Sequence, residues 1–149
     1  MSQGSRQLTT FSLGPYHYGI DVMRVQEVTS SLPMTKVPIA PSHVLGLINL
    51  RGQIATAIGL RELFGLGSSE NEKSNMTVIC KVDGALLSLL VDSIGDVIEI
   101  PESDFEPVPD TVQGPVRQLL GGVFKTKDFL INVLDLDKLT ERLNGPAAG

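Results

Sequence analysis

Residues 46–63 read Gly46-Leu47-Ile48-Asn49-Leu50-Arg51-Gly52-Gln53-Ile54-Ala55-Thr56-Ala57-Ile58-Gly59-Leu60-Arg61-Glu62-Leu63. Ile54, Thr56, Ile58 and Leu60 recur with the period of two that marks a half-buried strand. Ile48 to Leu50 is strand-like too, and Gly52 tolerates positive φ, so a tight turn is expected that projects Arg51 outward. Beyond the second strand, Arg61 to Phe64 predicts a helix of one to two turns ending at Gly65. The same succession returns later in the chain. Setting Gly46 over Gly122 aligns Ile54 with Leu130, Ile58 with Leu134, Leu60 with Leu136 and Leu63 with Leu139 without a gap.

Working outward, Tyr18-Gly19-Ile20-Asp21 resembles Leu89-Leu90-Val91-Asp92, and Val25-Gln26-Glu27-Val28 resembles Val97-Ile98-Glu99-Ile100 after a one-residue shift. The chain therefore reads as a weak internal duplication. Each copy is a set of short strands, with further alternation at Phe11 and Leu13, at Tyr16, Tyr18, Ile20 and Val22, and at Met76, Val78, Cys80 and Val82. Turn signals at Gly14-Pro15, Asp83-Gly84, Gly121-Gly122 and Lys127-Asp128 separate them, and Asp83-Gly84 between two apolar runs is the strongest hairpin signal. At the C-terminal end Leu136, Leu139 and Leu143 form one helical stripe, with Asp135 as N-cap and Gly145 as stop. The polar, aperiodic segment 67–75 reads as a loop, dividing a first lobe at about 8–66 from a second at about 76–144 within one unit spanning 8–149. The expected architecture is mainly β: two small barrels, each too small to bury a good core alone, packed through a shared apolar seam. The cleft between them is the default binding surface.

Composition narrows the function classes. The 149 residues carry a formal net charge of -5, and the basic residues are spread singly apart from Lys125 and Lys127, so neither phosphate backbones nor anionic lipid surfaces attract the chain. Cys80 is the single cysteine, and the opening residues Met1 to Arg6 are polar, so a reducing cytoplasmic setting is expected. The longest apolar stretch, Ala85 to Val91, is too short to span a bilayer, and membrane association must come through a partner. His17 and His43 are far apart with no cysteine or carboxylate at ligand spacing, so no metal is implied, and His17 is expected on an exposed hairpin face. Cys80, alternating with Val78 and Val82, is expected to be buried and inert. There is no phosphate-binding glycine loop, no nucleophile elbow and no His–carboxylate arrangement. Asp92, Asp96 and Glu99 have no evident partner in the sequence and read as a solvated face.

The order of motifs resembles the CheW family of bacterial chemotaxis from about Leu8 to Leu143. The matching stretches are Phe11-Ser12-Leu13-Gly14, Tyr18-Gly19-Ile20-Asp21-Val22, Val25-Gln26-Glu27-Val28, Gly46-Leu47-Ile48-Asn49-Leu50-Arg51-Gly52 and Leu90-Val91-Asp92-Ser93-Ile94. The resemblance implies two five-stranded SH3-like β-barrel lobes with short helices and a C-terminal helix. It also implies a non-enzymatic adaptor that ties the cytoplasmic tips of chemoreceptors to the regulatory domain of a histidine kinase, with no cofactor. By motif position, the implied receptor-binding residues are Arg51, Glu27 and Val25, with Ile48 and Leu50 supplying an apolar floor for a helical tip. A guanidinium suits such a role because its fork of donors grips helix C-terminal carbonyls or a carboxylate. No motif marks the kinase-facing residues. One departure is Gly59, where the family usually carries Asp; the internal copy keeps Asp135 there. The sequence leaves two other readings open, an OB-like barrel binding nucleic acid or oligosaccharide and a small enzyme working in the cleft; only 5% aromatic residues and the acidic charge oppose the first.

Overall fold

The structure is a computed structural model and describes residues 4–30, 32–66 and 76–144. Eleven strands are present among the described residues: β1 (Ser5–Leu13), β2 (Tyr16–Asp21), β3 (Val25–Ser30), β4 (Val44–Leu50), β5 (Gln53–Gly59), β6 (Met76–Val82), β7 (Ala85–Val91), β8 (Ser93–Pro101), β9 (Phe105–Glu106), β10 (Leu120–Lys125) and β11 (Leu130–Leu134). Two helices join them, α1 (Leu60–Phe64) and α2 (Leu136–Asn144). The molecule is mainly β, as its alternating runs require, and the strands form two sheets. One has six strands in the order β8-β1-β2-β11-β10-β9, and the other five in the order β3-β6-β7-β5-β4. The sixth strand of the larger sheet, β9, is only two residues long.

The two copies of the sequence repeat are visible as equivalent elements. In each, an antiparallel pair (β4 with β5, β10 with β11) leads into a short helix, and its second strand lies parallel to a strand from the other half of the chain (β5 to β7, β11 to β2). Both pairs carry a bulge at the same place, between Val44 and Gly46 and between Leu120 and Gly122. Gly46 and Gly122 also share a reason. A Cβ on Gly46 would lie 2.6 Å from the carbonyl oxygen of Thr35, and one on Gly122 would lie 2.7 Å from the carbonyl oxygen of Glu106, so only glycine lets the crossing segment approach.

The sheets do not coincide with the halves of the sequence, however. The hairpin β1–β2 joins β8 to β11, while β6–β7 joins β3 to β5, so the copies have exchanged their first hairpins. The expected division into 8–66 and 76–144 is therefore not the division between sheets, and the dividing loop 67–75 lies outside the described residues. The cause is the crossover after each hairpin. Asp21 accepts the Met23 amide at 2.9 Å and starts a single 3-10 turn, Val22–Arg24, that carries the chain to the other sheet, which is why Val22 leaves the alternating pattern of β2.

Three apolar clusters follow from this interleaving. Ile48, Leu50, Ala55, Ala57, Ile79 and Leu86 fill the five-stranded sheet, and Leu8, Ile100, Phe124, Ile131 and Val133 the six-stranded one. The largest cluster draws on both sheets and both helices, with Phe11, Tyr18, Ile58, Phe64, Val78, Leu89, Leu120 and Leu139 among its members. This is the expected shared seam, and its size explains why neither small sheet has to stand alone. The predicted helix ends hold where described. Gly65 (φ 75) closes α1, and the Asp135 carboxylate accepts the amides of Asp137 at 2.9 Å and Lys138 at 3.1 Å at the start of α2. The predicted stop at Gly145 lies outside the described residues.

Candidate functional site

The β4–β5 hairpin turns on two residues, with Leu50 paired to Gln53, and both turn residues have positive φ: Arg51 at 50 and Gly52 at 91. That is the requirement of the tightest hairpin turns, whose twist matches the flanking strands. For arginine the conformation is unfavourable, and a local bond holds it: Asn49 accepts the Gly52 amide on its side-chain oxygen at 2.9 Å. The result is the outward projection expected of Arg51, whose side chain is 69% exposed.

The same guanidinium donates to Glu27 of β3 at 2.8 Å. β3 and β4 are the two edge strands of the five-stranded sheet, so this ion pair ties edge to edge. Two of the residues implied to face a partner are thus brought together, although they are well separated in sequence. Hydrogen bonding to Glu27, with its charge second, raises the pKa of Arg51, which stays protonated.

The apolar residues implied beside them fare differently. Ile48 and Leu50 are 1% and 5% exposed and belong to the core of the five-stranded sheet, so they are not an accessible floor. The outward side chains of the hairpin are Leu47 (37% exposed) and Ile54 (59% exposed), the latter directly opposite Asn49. The reason is parity. Val44 to Leu50 is apolar at nearly every position, so alternation within β4 cannot tell which face is inside. In β5 the expected alternation of Ile54, Thr56 and Ile58 on one buried face fails at its start, because the small Ala55 and Ala57 are the buried residues there and Ile54 is exposed. Val25 is half-buried and packs on the seam cluster rather than beside Glu27. A bulge between Val25 and Glu27 shifts the register against β6, so that Val25 lies opposite Cys80 and Glu27 opposite Ile79. Two residues that alternation puts on one face are thereby sent to opposite faces.

Elsewhere, the reading of Asp92 as solvated surface is corrected. Its carboxylate accepts the Arg61 side chain (Nε to Oδ1, 2.9 Å) and the Gly14 amide (2.7 Å), joining α1, the β1–β2 turn and the end of β7. The hydrogen bond from Arg61 is the main cause of the lowered Asp92 pKa, with the Gly14 amide adding to it and burial opposing it. The reading missed it because the partners are distant in sequence. His17 is half-buried and stacks on Phe129 with ring centroids 3.9 Å apart. Cys80 is fully buried, and burial pushes its thiol up to about 12, too high for a nucleophile at neutral pH. Among the described residues no group of three or more His, Cys, Asp or Glu can hold a metal ion, and no helix is long and apolar enough to cross a membrane.

The described residues thus form a two-sheet scaffold that exposes an ion-paired arginine at the tip of a hairpin, the arrangement of a binding scaffold. The comparisons with known proteins agree with that class. A family model described as "CheW-like domain" matches residues 7–144, and the chain belongs to that family. It is 33% identical over 137 residues to "Chemotaxis protein CheW" of Treponema pallidum, covering 89% of this chain and 81% of that protein. It is 28% identical to the protein of the same name from Rhizobium meliloti, with 93% and 90% covered. Among solved structures, the scaffolding protein TtCheW from Thermoanaerobacter tengcongensis superposes with a TM-score of 0.81 at 32% identity, with 89% of this chain and 90% of that chain covered. The family is one of non-catalytic scaffold proteins of chemotaxis, and the chain is an adaptor rather than an enzyme.

Proposed function

We propose that this adaptor couples the cytoplasmic tips of transmembrane chemoreceptors to the regulatory domain of a chemotaxis histidine kinase, controlling the kinase by protein–protein contact alone. In this reading it works in the cytoplasm and reaches the membrane only through receptor arrays, without nucleic acid, cofactor or insertion into lipid. The observation that supports it is Arg51: an exposed guanidinium paired with Glu27, at the tip of a two-residue turn whose Gly52 amide is held by the Asn49 side chain. Pre-ordering a fork of donors lowers the entropy lost when a helix end or a carboxylate docks there. Glu27 shares the site by holding the guanidinium, and Val25 supports β3 from the seam side. Ile48 and Leu50 support the hairpin from within, while Leu47 and Ile54 offer the apolar contact surface on its outside.

The test uses the full chain with a receptor cytoplasmic fragment and the kinase. Arg51→Ala and Glu27→Ala are each expected to weaken receptor binding while kinase binding persists. Ile54→Asp, measured against both partners, assigns the outer face of the hairpin to one of them. Receptor binding unchanged in Arg51→Ala, with the protein folded, refutes the assignment of the site; failure of the wild-type chain to form a ternary complex or alter kinase activity refutes the coupling role.

A further inference from the structure

The segment that crosses from β3 to β4, residues 32–41, forms a strap against the free edge of β4. One bridge fastens it: the Thr35 amide donates to the Leu47 carbonyl and the Leu47 amide to the Thr35 carbonyl, both at 2.8 Å. Hydrogen-bonding positions recur at every second residue of such a pair, and the next one back along the strap is Pro33, which has no N–H to offer. Leu32 and Met34 are half-buried against the core of the five-stranded sheet, while every residue from Thr35 to Ile39 is exposed, so water competes for the bridge.

The strap also carries strain. Ile39 has a φ of 55, and a β-branched residue is among those least suited to that left-handed conformation. Its side chain is fully exposed, so no packing offsets the cost. Pro38 precedes it, and proline followed by a residue of positive φ is the pattern of a tight turn whose second position ordinarily holds glycine or asparagine. The conformation is imposed from both sides. Thr35 is bound to Leu47 before the turn, and the Val44 amide donates to the Pro41 carbonyl at 3.0 Å after it. Release of the Thr35 bridge lets Ile39 return to an ordinary negative φ, so the strain works against closure.

We propose that residues 32–41 are a gate on the edge of β4, closed by the Thr35–Leu47 bridge and biased toward opening by the strain at Ile39. Closed, the strap covers the backbone groups of Leu47; open, it turns them into a free sheet edge, the kind of surface on which an extended strand pairs. The opening is local: it breaks two hydrogen bonds, frees Leu32 and Met34, and leaves the ladders of the five-stranded sheet intact. The gate uses neither Arg51 nor Glu27, so it stands or falls independently of the receptor-binding reading.

Amide hydrogen exchange of the isotope-labelled full chain, followed residue by residue by NMR, is the test. After correction for intrinsic rates, the Thr35 and Leu47 amides are expected to share one opening constant, at least about tenfold larger than that of the central strand β7 and unchanged by low urea. Ile39→Asn, which suits positive φ, is expected to lower the opening constant of both amides about fivefold. Ile39→Val, which keeps the β-branch and loses no contact, leaves it within about twofold. Overlap of the remaining spectrum with that of the wild type reports that each variant is folded. The proposal is overturned if the two amides open only together with β7, if they open independently of each other, if folded Ile39→Asn exchanges as the wild type does, or if Ile39→Val slows exchange as much as Ile39→Asn.

Discussion

Replacing Asp92 with Asn keeps the shape of the side chain and removes its charge at the point where α1, the β1–β2 turn and β7 meet. The carboxylate accepts two charge-assisted hydrogen bonds from Arg61 and one from the Gly14 amide, and both side chains of the ion pair are about one-fifth exposed, at 20% and 21%. Breaking a fully buried pair by removing one partner costs about 3–5 kcal/mol, and a fully exposed pair is worth under about 1 kcal/mol. With partial access to water on both sides, a loss of about 2 kcal/mol is expected. In urea, with a slope of about 2 kcal/mol per molar, that moves the midpoint down by about 1 M without changing the slope. The direction with pH is also set. A carboxylate whose folded pKa is depressed contributes stability above its ordinary value near 3.8, and the contribution is lost as pH falls below that value toward the folded pKa. The difference between wild type and Asp92→Asn is thus full at pH 7 and shrinks as the medium is acidified below about pH 4. A midpoint shift under about 0.2 M at pH 7, or a difference that persists undiminished at pH 3, would show that the pair does not hold the three elements together.

Three further outcomes are expected. Asp135→Ala removes the acceptor for two amides at the start of α2 and should cost about 1 kcal/mol by urea titration, with an unchanged midpoint counting against the cap. Gly46→Ala introduces a methyl group into the space held by the Thr35 carbonyl, so the paired exchange of hydrogen bonds between Thr35 and Leu47 should loosen; faster amide exchange at Leu47 and a stability loss of about 1–3 kcal/mol are the readouts. Leu50→Ala should cost about 2–5 kcal/mol while Ile54→Ala stays within about 0.5 kcal/mol, and equal losses would mean that the faces of the hairpin have been assigned the wrong way round.

Much of the fold was legible from local pattern. Period-two alternation marked the strands, Asp83-Gly84 marked the β6–β7 hairpin with both residues at positive φ, and Asp135 and Gly65 marked helix ends through chemistry confined to a few neighbouring residues. The internal repeat was legible too, because equivalent strands bury equivalent positions, and it led to two sheets on a common seam. Of the candidate site, the exposed turn at Arg51 was readable from the glycine beside it.

Tertiary structure alone decided the rest. Which hairpin joins which sheet depends on where the chain crosses over at Asp21 and Asp92, and either assignment satisfies the same alternation, so the exchange of hairpins leaves no trace in the pattern. The inward turn of Ile48 and Leu50 and the separation of Val25 from Glu27 were set by an almost continuous apolar run and by a bulge, each of which breaks the link between residue parity and face. The pairings of Arg51 with Glu27 and Arg61 with Asp92 arise only when distant strands are brought side by side. Periodicity encodes what one element buries; the choice of neighbour is a property of the whole packed chain, and the braced arginine exists only there.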